Sequence, residues 1–446
     1  MPAKKTTKKA PAKKAIKKVP VKKASKKAVT HKHKPSSADD EYIQPVVNIG
    51  LVGHVDHGKT TLTQALSGRW ADTHSEEIKR GITIRLGYAD AEFRYDEKHK
   101  RYTVEKEVDG VPTVLKRKVS FVDAPGHESL MATMLAGARI MDGAMLLIAA
   151  NEACPQPQTR EHLMALQMSG IKNIVIVQNK IDLVDKERAT RNYKQIKEFL
   201  KGTEYENAPI IPISAQHRVN IDSLIEAIEE FIPTPDRSKE TDPMMFIARS
   251  FDINKPGTLS KEMKGGVLGG ALVQGTLKAG DIIEIRPGRV VEEANQLVAK
   301  PLTTKIVTLM TGGKNVPEAT TGGTIAALTT LDPGIVKGDS LVGNIVGYPG
   351  KLPPIWRDLR LEVHLLERVV GAYEDMKVDP LKANELLMLN VNSAATVGVI
   401  TDLQKNKCTC KLKLPVCAEL GARVAVSRRI GTRFRLIGYG IIVEKK

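Results

Sequence analysis

The sequence predicts an α/β domain with a doubly wound, mostly parallel sheet, then two β-barrel domains, with a disordered basic arm in front. Three observations lead there. Lysines crowd the first 38 residues, apolar strand-like runs alternate with helical stretches from Pro45 to about Asp236, and short glycine-punctuated β-like runs follow Pro243. The expected limits are 1–42 for the arm, 43–238 for the α/β domain, 239–350 for the first barrel and 351–446 for the second.

The arm comes first. The net charge of the 446 residues is +17, and residues 1–38 hold 14 lysines and no acid, so the remaining residues carry only +3. Lys-Lys pairs separated by Ala, Pro, Thr and Val, with Pro2, Pro11, Pro20 and Pro35, repel one another and offer too little apolar surface to fold. Such an arm reads equally as a contact to phosphate backbones through counterion release and as a solvated tail with no dedicated partner. His31-Lys32-His33 reads as part of that tail rather than a metal site.

In the next region, Val46 to Val52, Val119 to Asp123, Ala144 to Ala149, Asn173 to Val177 and Pro209 to Ile213 are short apolar runs suited to buried parallel strands. Helical stretches such as Thr61 to Leu66, Thr159 to Met168 and Ile221 to Phe231 separate them, the alternation of a doubly wound sheet. Pro233, Pro235 and the charged stretch Asp236 to Asp242 read as a linker. Beyond it, Gly265-Gly266, Gly269-Gly270, Gly280-Asp281 and Gly338-Asp339 read as turns between short strands. A second break at Pro349 to Pro354 divides the region into two barrels.

Composition excludes several classes. Four cysteines (Cys154, Cys408, Cys410, Cys417) are too few for a secreted disulfide scaffold. No apolar run approaches the length that spans a bilayer, and the N-terminus lacks the apolar core of a secretion signal. The expectation is a soluble, cytoplasmic protein.

The chemistry lies in four ordered motifs. Gly53-His54-Val55-Asp56-His57-Gly58-Lys59-Thr60 fits G-x-x-x-x-G-K-[ST], between a strand and a helix as the motif requires. Its backbone N–H groups can turn onto phosphate oxygens, aided by the positive end of the following helix. The stretch expected to contact nucleotide is Asp56, His57, Gly58, Lys59, Thr60 and Thr61, with Lys59 reaching the outer phosphates and the Thr60 hydroxyl ligating magnesium. A chance glycine-rich turn is the alternative for the loop alone. Asp123-Ala124-Pro125-Gly126 follows a buried strand, so Asp123 can hold the magnesium shell and the Gly126 N–H can sense a γ-phosphate. The Thr83 hydroxyl, between loop and strand, can reach magnesium only with that phosphate present, which is switch behaviour.

Asn179-Lys180-Ile181-Asp182 identifies the base. The Asp182 carboxylate accepts from two adjacent N–H donors of guanine, an arrangement adenine lacks. Asn179 can bond the base and tether the phosphate loop, and the Lys180 stem can cover the purine. Ser214-Ala215-Gln216 can supply a backbone N–H to the guanine oxygen. The nucleotide implied is GTP or GDP. His127 is the candidate for orienting the attacking water, its alternative role being to cap the helix from Glu128 to Ala138. Val55 and Ile82 are apolar groups able to gate the water path, or ordinary packing residues.

These motifs resemble the translational GTPases. With His74-Ser75-Glu76-Glu77, Arg80 to Asp90, Ala248 to Thr258, Gly265 to Gly270 and Asn390 to Ala394, the chain most resembles the gamma subunit of archaeal translation initiation factor 2, from about Pro45 to the C-terminus. The resemblance implies a GTPase that carries methionylated initiator tRNA to the small ribosomal subunit, within a heterotrimer. In the family, the alpha subunit docks on the second domain, the beta subunit on the GTPase domain, and the tRNA acceptor end lies against the first two domains. It implies magnesium at Thr60 and Thr83, and a second magnesium at Asp56 and the Gly81 carbonyl.

The sequence departs from the family in two ways. Many members carry a four-cysteine zinc knuckle, but Phe93 to Lys118 contains no cysteine, so no zinc is expected. The lysine arm is also foreign to the family core. Cys408, Cys410, Leu412 and Leu414 alternate and are expected to share a barrel-strand face, with Cys417 as another small core residue. Trp356, Arg428, Arg429, Arg433 and Arg435 are read either as an RNA face or as an ordinary exposed strand face. The competing functions are an elongation-type carrier of elongator or selenocysteinyl tRNA, and a basic nucleic-acid-binding protein with a vestigial nucleotide domain.

Overall fold

β1 (Val47–Gly53) is buried along its whole length because it has parallel neighbours on both sides. The computed structural model describes residues 44–69, 83, 86–127, 130–238, 240–293, 296–369 and 376–444. The expected basic arm lies outside them, as do Gly81 and Ile82. After β1 come α1 (Lys59–Ser67), β2 (Gly87–Asp96), β3 (Arg101–Thr103), β4 (Val114–Asp123), α2 (Met131–Ala138), β5 (Gly143–Ala149) and α3 (Pro157–Ser169). Then follow β6 (Ile174–Asn179), α4 (Lys186–Leu200), β7 (Ile210–Pro212) and α5 (Ile221–Phe231).

The sheet order is β3-β2-β4-β1-β5-β6-β7. The strands from β4 to β7 pair in parallel, whereas β2 and β3 extend one edge antiparallel. Alternate side chains take opposite faces, as strand geometry requires. Ile49, Leu51, Met145, Leu147, Val175 and Val177 join the core with α1 and α5. Val52, Leu146, Ile148, Ile174 and Ile176 join the core with α2, α3 and α4.

The first barrel comprises β8 (Met244–Phe251), β9 (Val267–Gln274), β10 (Ile282–Glu293), β11 (Gln296–Thr311), β12 (Lys314–Val316), β13 (Ile325–Thr329) and β14 (Ile345–Gly347). Its order is β10-β14-β8-β9-β13-β11-β12, and β11 pairs back onto β10 to close it. Gly269-Gly270 lies inside β9 rather than in a turn. A Cβ at Gly270 would sit 1.9 Å from the Phe246 carbonyl oxygen, so this glycine serves close strand approach.

The second barrel comprises β15 (Ile355–Leu365), β16 (Leu386–Val391), β17 (Ala394–Gln404), β18 (Lys407–Cys417), β19 (Arg423–Ile430) and β20 (Arg433–Ile442). It closes in the order β15-β18-β17-β16-β19-β20. Cys408, Cys410 and Cys417 are buried, as expected, but Leu414 is exposed. Near Leu414 the β17–β18 ladder gives way to the Thr396 hydroxyl, which accepts from the Leu414 N–H and donates to its carbonyl, so the strand face turns.

The arginines of β19 and β20 do not form one exposed face. Arg428 pairs with Glu385, Arg435 reaches Glu161 on α3, and the Trp356 indole donates to the Ala418 carbonyl at 2.8 Å. The core beneath α2 and α3 continues into both barrels through Phe246, Ala271, Ile345, Leu352, Cys417 and Leu436. Among the described residues, no helix is long and apolar enough to cross a membrane.

Candidate nucleotide site

The phosphate loop begins where β1 ends. Gly53 has φ 141, and a Cβ there would lie 2.5 Å from the Leu147 carbonyl oxygen, so only glycine fits this turn. Gly58 has φ 89, and its Cβ would meet Asn179 Nδ2 at 2.3 Å. The buried Lys59 ammonium donates to the carbonyls of Gly53 at 3.1 Å and His54 at 2.8 Å, inside the loop. A Cβ at Gly126 would lie 2.5 Å from Lys59 Nζ and 2.8 Å from the Gly53 oxygen. The Asp-x-x-Gly turn therefore closes directly over the loop.

Three expected magnesium residues meet at its side. The Thr60 hydroxyl donates to Asp123 Oδ2 at 2.8 Å and lies 3.3 Å from the Thr83 hydroxyl oxygen. Two hydroxyls and one carboxylate form a hard-oxygen set that fits magnesium sharing its shell with phosphates and water. Asp56 is an exposed loop-tip residue with φ 63, and Val55 and Thr61 are half-buried beside it. His57 is buried, with Nδ1 2.9 Å from the Leu147 carbonyl and Nε2 3.3 Å from Glu152. Its side chain thus braces the loop. The hydrogen bond from His57 holds the Glu152 carboxyl below its ordinary value.

Asn179 joins the two halves of the site. Its Nδ2 donates to the His57 carbonyl at 2.9 Å, and its Oδ1 accepts from the Ala215 N–H at 3.0 Å. Lys180 takes a left-handed conformation (φ 62), and Asp182 sits in the 3-10 turn Ile181–Leu183, 3.7 Å from His217 Nε2. Ser214 is buried, and Gln216 is exposed at the rim. His127 is half-buried immediately after Gly126, its carbonyl accepting from the Leu130 N–H at 2.9 Å. The described helix begins at Met131, later than the expected Glu128.

Sequence reasoning missed several supports. His162 on α3 is wholly buried, and its Nδ1 accepts the Gly53 N–H at 2.7 Å. Asp142 accepts from the Asn48 N–H at 2.8 Å and pairs with Arg237. Gln178 donates to Asn192 at 2.9 Å behind the base end. The signal available was the adjacent Glu161-His162 pair leading into the apolar stretch Leu163 to Leu166.

The family pattern described as "Elongation factor Tu GTP binding domain" matches residues 44–234, and "Initiation factor eIF2 gamma, C terminal" matches 357–442. The chain is 62% identical over 403 residues to the translation initiation factor 2 subunit gamma of Pyrococcus furiosus, spanning 90% of this chain and 98% of that one. It is 60% identical over 401 residues to the protein of that name from Methanocaldococcus jannaschii, with the same coverage. Among solved structures, a bacterial selenocysteine-specific elongation factor EF-Sec matches with TM-score 0.69 at 25% identity, over 90% of this chain and 59% of that one. Elongation factor SelB from Methanococcus maripaludis, in complex with the GTP analogue GppNHp, matches in fold with TM-score 0.66 at 23% identity, over 90% and 80%.

Proposed function

The chain belongs to the family of translation initiation factor 2 gamma subunits, and on that premise we propose that it carries methionylated initiator tRNA to the small ribosomal subunit in a GTP-dependent manner. It is a translational GTPase. The proposed partners are the alpha and beta subunits of the factor, the tRNA and the small subunit, in the cytoplasm. GTP is hydrolysed to GDP and phosphate on release. The observation that carries the reading is the meeting of four separated motifs around one loop, with Asn179 bonded to both the phosphate loop and the Ser214-Ala215-Gln216 turn.

Each residue then has a task. Backbone N–H groups from Asp56 to Thr61 and the Lys59 ammonium take the phosphates. Thr60, Thr83 and Asp123 would hold magnesium, whose charge offsets that of the outer phosphates. Gly126 and Thr83 sense the γ-phosphate. Asp182 reads the guanine edge, the Lys180 stem covers the ring beside Ile181, and Ser214, Ala215 and Gln216 present N–H to the guanine oxygen. His127 orients water, with Val55 and Ile82 as the gate. Asp56 and the Gly81 carbonyl form a second magnesium site.

Functional limits of 43–238, 239–350 and 351–446 complete the proposal, supported by the breaks before β8 and before β15. The factor works without zinc on this reading, because Phe93 to Lys118 supplies no thiolate.

The fold likeness to selenocysteine-specific factors supports an elongation-type carrier as the second reading. Filter binding separates the two. The GTP-loaded chain should bind methionylated initiator tRNA at least about tenfold tighter than either elongator tRNA or the GDP-loaded chain does, a difference of about 1.4 kcal/mol. Equal affinity for initiator and elongator species, or preference for selenocysteinyl tRNA, contradicts the initiation reading.

A further inference from the structure

We propose that α3 is a mechanical link between the second barrel and the phosphate loop, with His162 positioning the loop and Glu161 receiving Arg435 of the barrel. The inference rests on reading Gly53 to Thr60 as the phosphate loop. It begins with adjacency: neighbouring helix residues point about 100° apart, so Glu161 and His162 address different partners. α3 packs against β1 and β5 of its own domain and against β19 of the second barrel. Glu161 is 2% exposed and His162 0%.

On the loop side, the Gly53 peptide is held at both ends. Its N–H donates to His162 Nδ1 at 2.7 Å, and its carbonyl accepts from Lys59 Nζ at 3.1 Å. For Nδ1 to accept, the ring must be neutral and carry its proton on Nε2. Burial first, then the nearby charges of Lys59, His54 and His57, push His162 down to about 3, which keeps that neutral form. Among the described residues the buried Nε2 has no hydrogen-bond partner, and Nδ1 is the atom the structure uses. A displacement of α3 therefore moves the first glycine of the loop, and with it the carbonyl that orients Lys59.

On the barrel side, Arg435 Nη1 donates to Glu161 Oε1 at 2.6 Å, both groups being largely buried. A buried charge pair resists separation because the buried Glu161 carboxylate would be left uncompensated. The Arg435 partner Glu161 is the immediate chain neighbour of His162, the phosphate loop's support. Movement of the second barrel thus has a short, stiff route to the phosphates. Bound nucleotide has the same route back to the barrel.

Dissociation of mant-GDP from the full chain tests this. His162→Leu should speed release about tenfold and His162→Asn, which places an oxygen near the Nδ1 position, no more than about twofold. Arg435→Gln should speed release at least about threefold, and that effect should vanish in the His162→Leu background, since coupled residues are non-additive. Unchanged release in Arg435→Gln, or an equal effect in both backgrounds, overturns the link while leaving the nucleotide reading intact. Should His162→Leu not fold, the double variant Arg435→Gln with His162→Asn reads the same route, retaining the Arg435 effect where Nδ1's role is preserved. A wild-type chain that binds no mant-GDP overturns both.

Discussion

The two ends of the nucleotide site are built differently. At the phosphate end, Gly53, His57 and Thr60 bond to buried groups on α3, β5 and β4, Lys59 bonds to carbonyls within the loop, and α3 in turn bonds to the second barrel. At the base end, Lys180, Asp182 and Gln216 sit on surface turns, with Asn179 as the buried brace. The difference teaches a division of labour. On the proposed function, base identity would be read by a local, loosely embedded end and the phosphate state by an end wired into the rest of the fold.

The largest expected effect breaks the phosphate end alone. Lys59→Ala removes charge-assisted hydrogen bonds and should weaken GTP binding by about a hundredfold or more in calorimetry, with guanine preference over adenine retained. Loss of that preference would erase the division. Next, Asp182→Asn should shift preference from guanosine toward xanthosine triphosphate by roughly tenfold to a hundredfold in competition binding, the scale of one bidentate contact. The ratio of triphosphate to diphosphate affinity should stay as in the wild type; a changed ratio would show that the two ends are not separate.

The remaining effect is on stability, absent near neutral pH and growing only in acid. His162 is held near 3 in the folded chain against an ordinary 6.5, so below 6.5 the unfolded state binds a proton that the folded state refuses. Its contribution therefore lowers stability as pH falls from 6.5 toward 3, by at most about 1.4 kcal/mol per pH unit. His162→Asn should flatten the acid side of the denaturation profile in that window and leave it unchanged above pH 7. An unaltered acid limb would mean that His162 is not buried as a neutral acceptor.

Most of the fold was legible because its signals are local. The buried runs became β1, β4, β5, β6 and β7, and the helical stretch Ile221 to Phe231 appears with the same limits. The four motifs were legible for the same reason, since each one's chemistry is complete within a few residues. The antiparallel edge of β2 and β3 was not, because its half-buried pattern lacks the continuous apolar run that marks a parallel strand. The supports of the phosphate end were hidden by distance along the chain. Gly53 and His162 are 109 residues apart, and Glu161 and Arg435 are 274 apart. Nothing in either local pattern names its partner. The turn reading at Gly269-Gly270 failed because glycine there answers a neighbouring strand, not a change of direction.

The two ends act together only if residues 53 to 216 enclose a guanine nucleotide. Calorimetric titration of the full chain with GTP, GDP and ATP in magnesium tests that directly. Saturable heat with both guanine nucleotides and at least about a hundredfold weaker binding of ATP is the predicted result. No heat with any of them, or equal affinity for ATP, contradicts it.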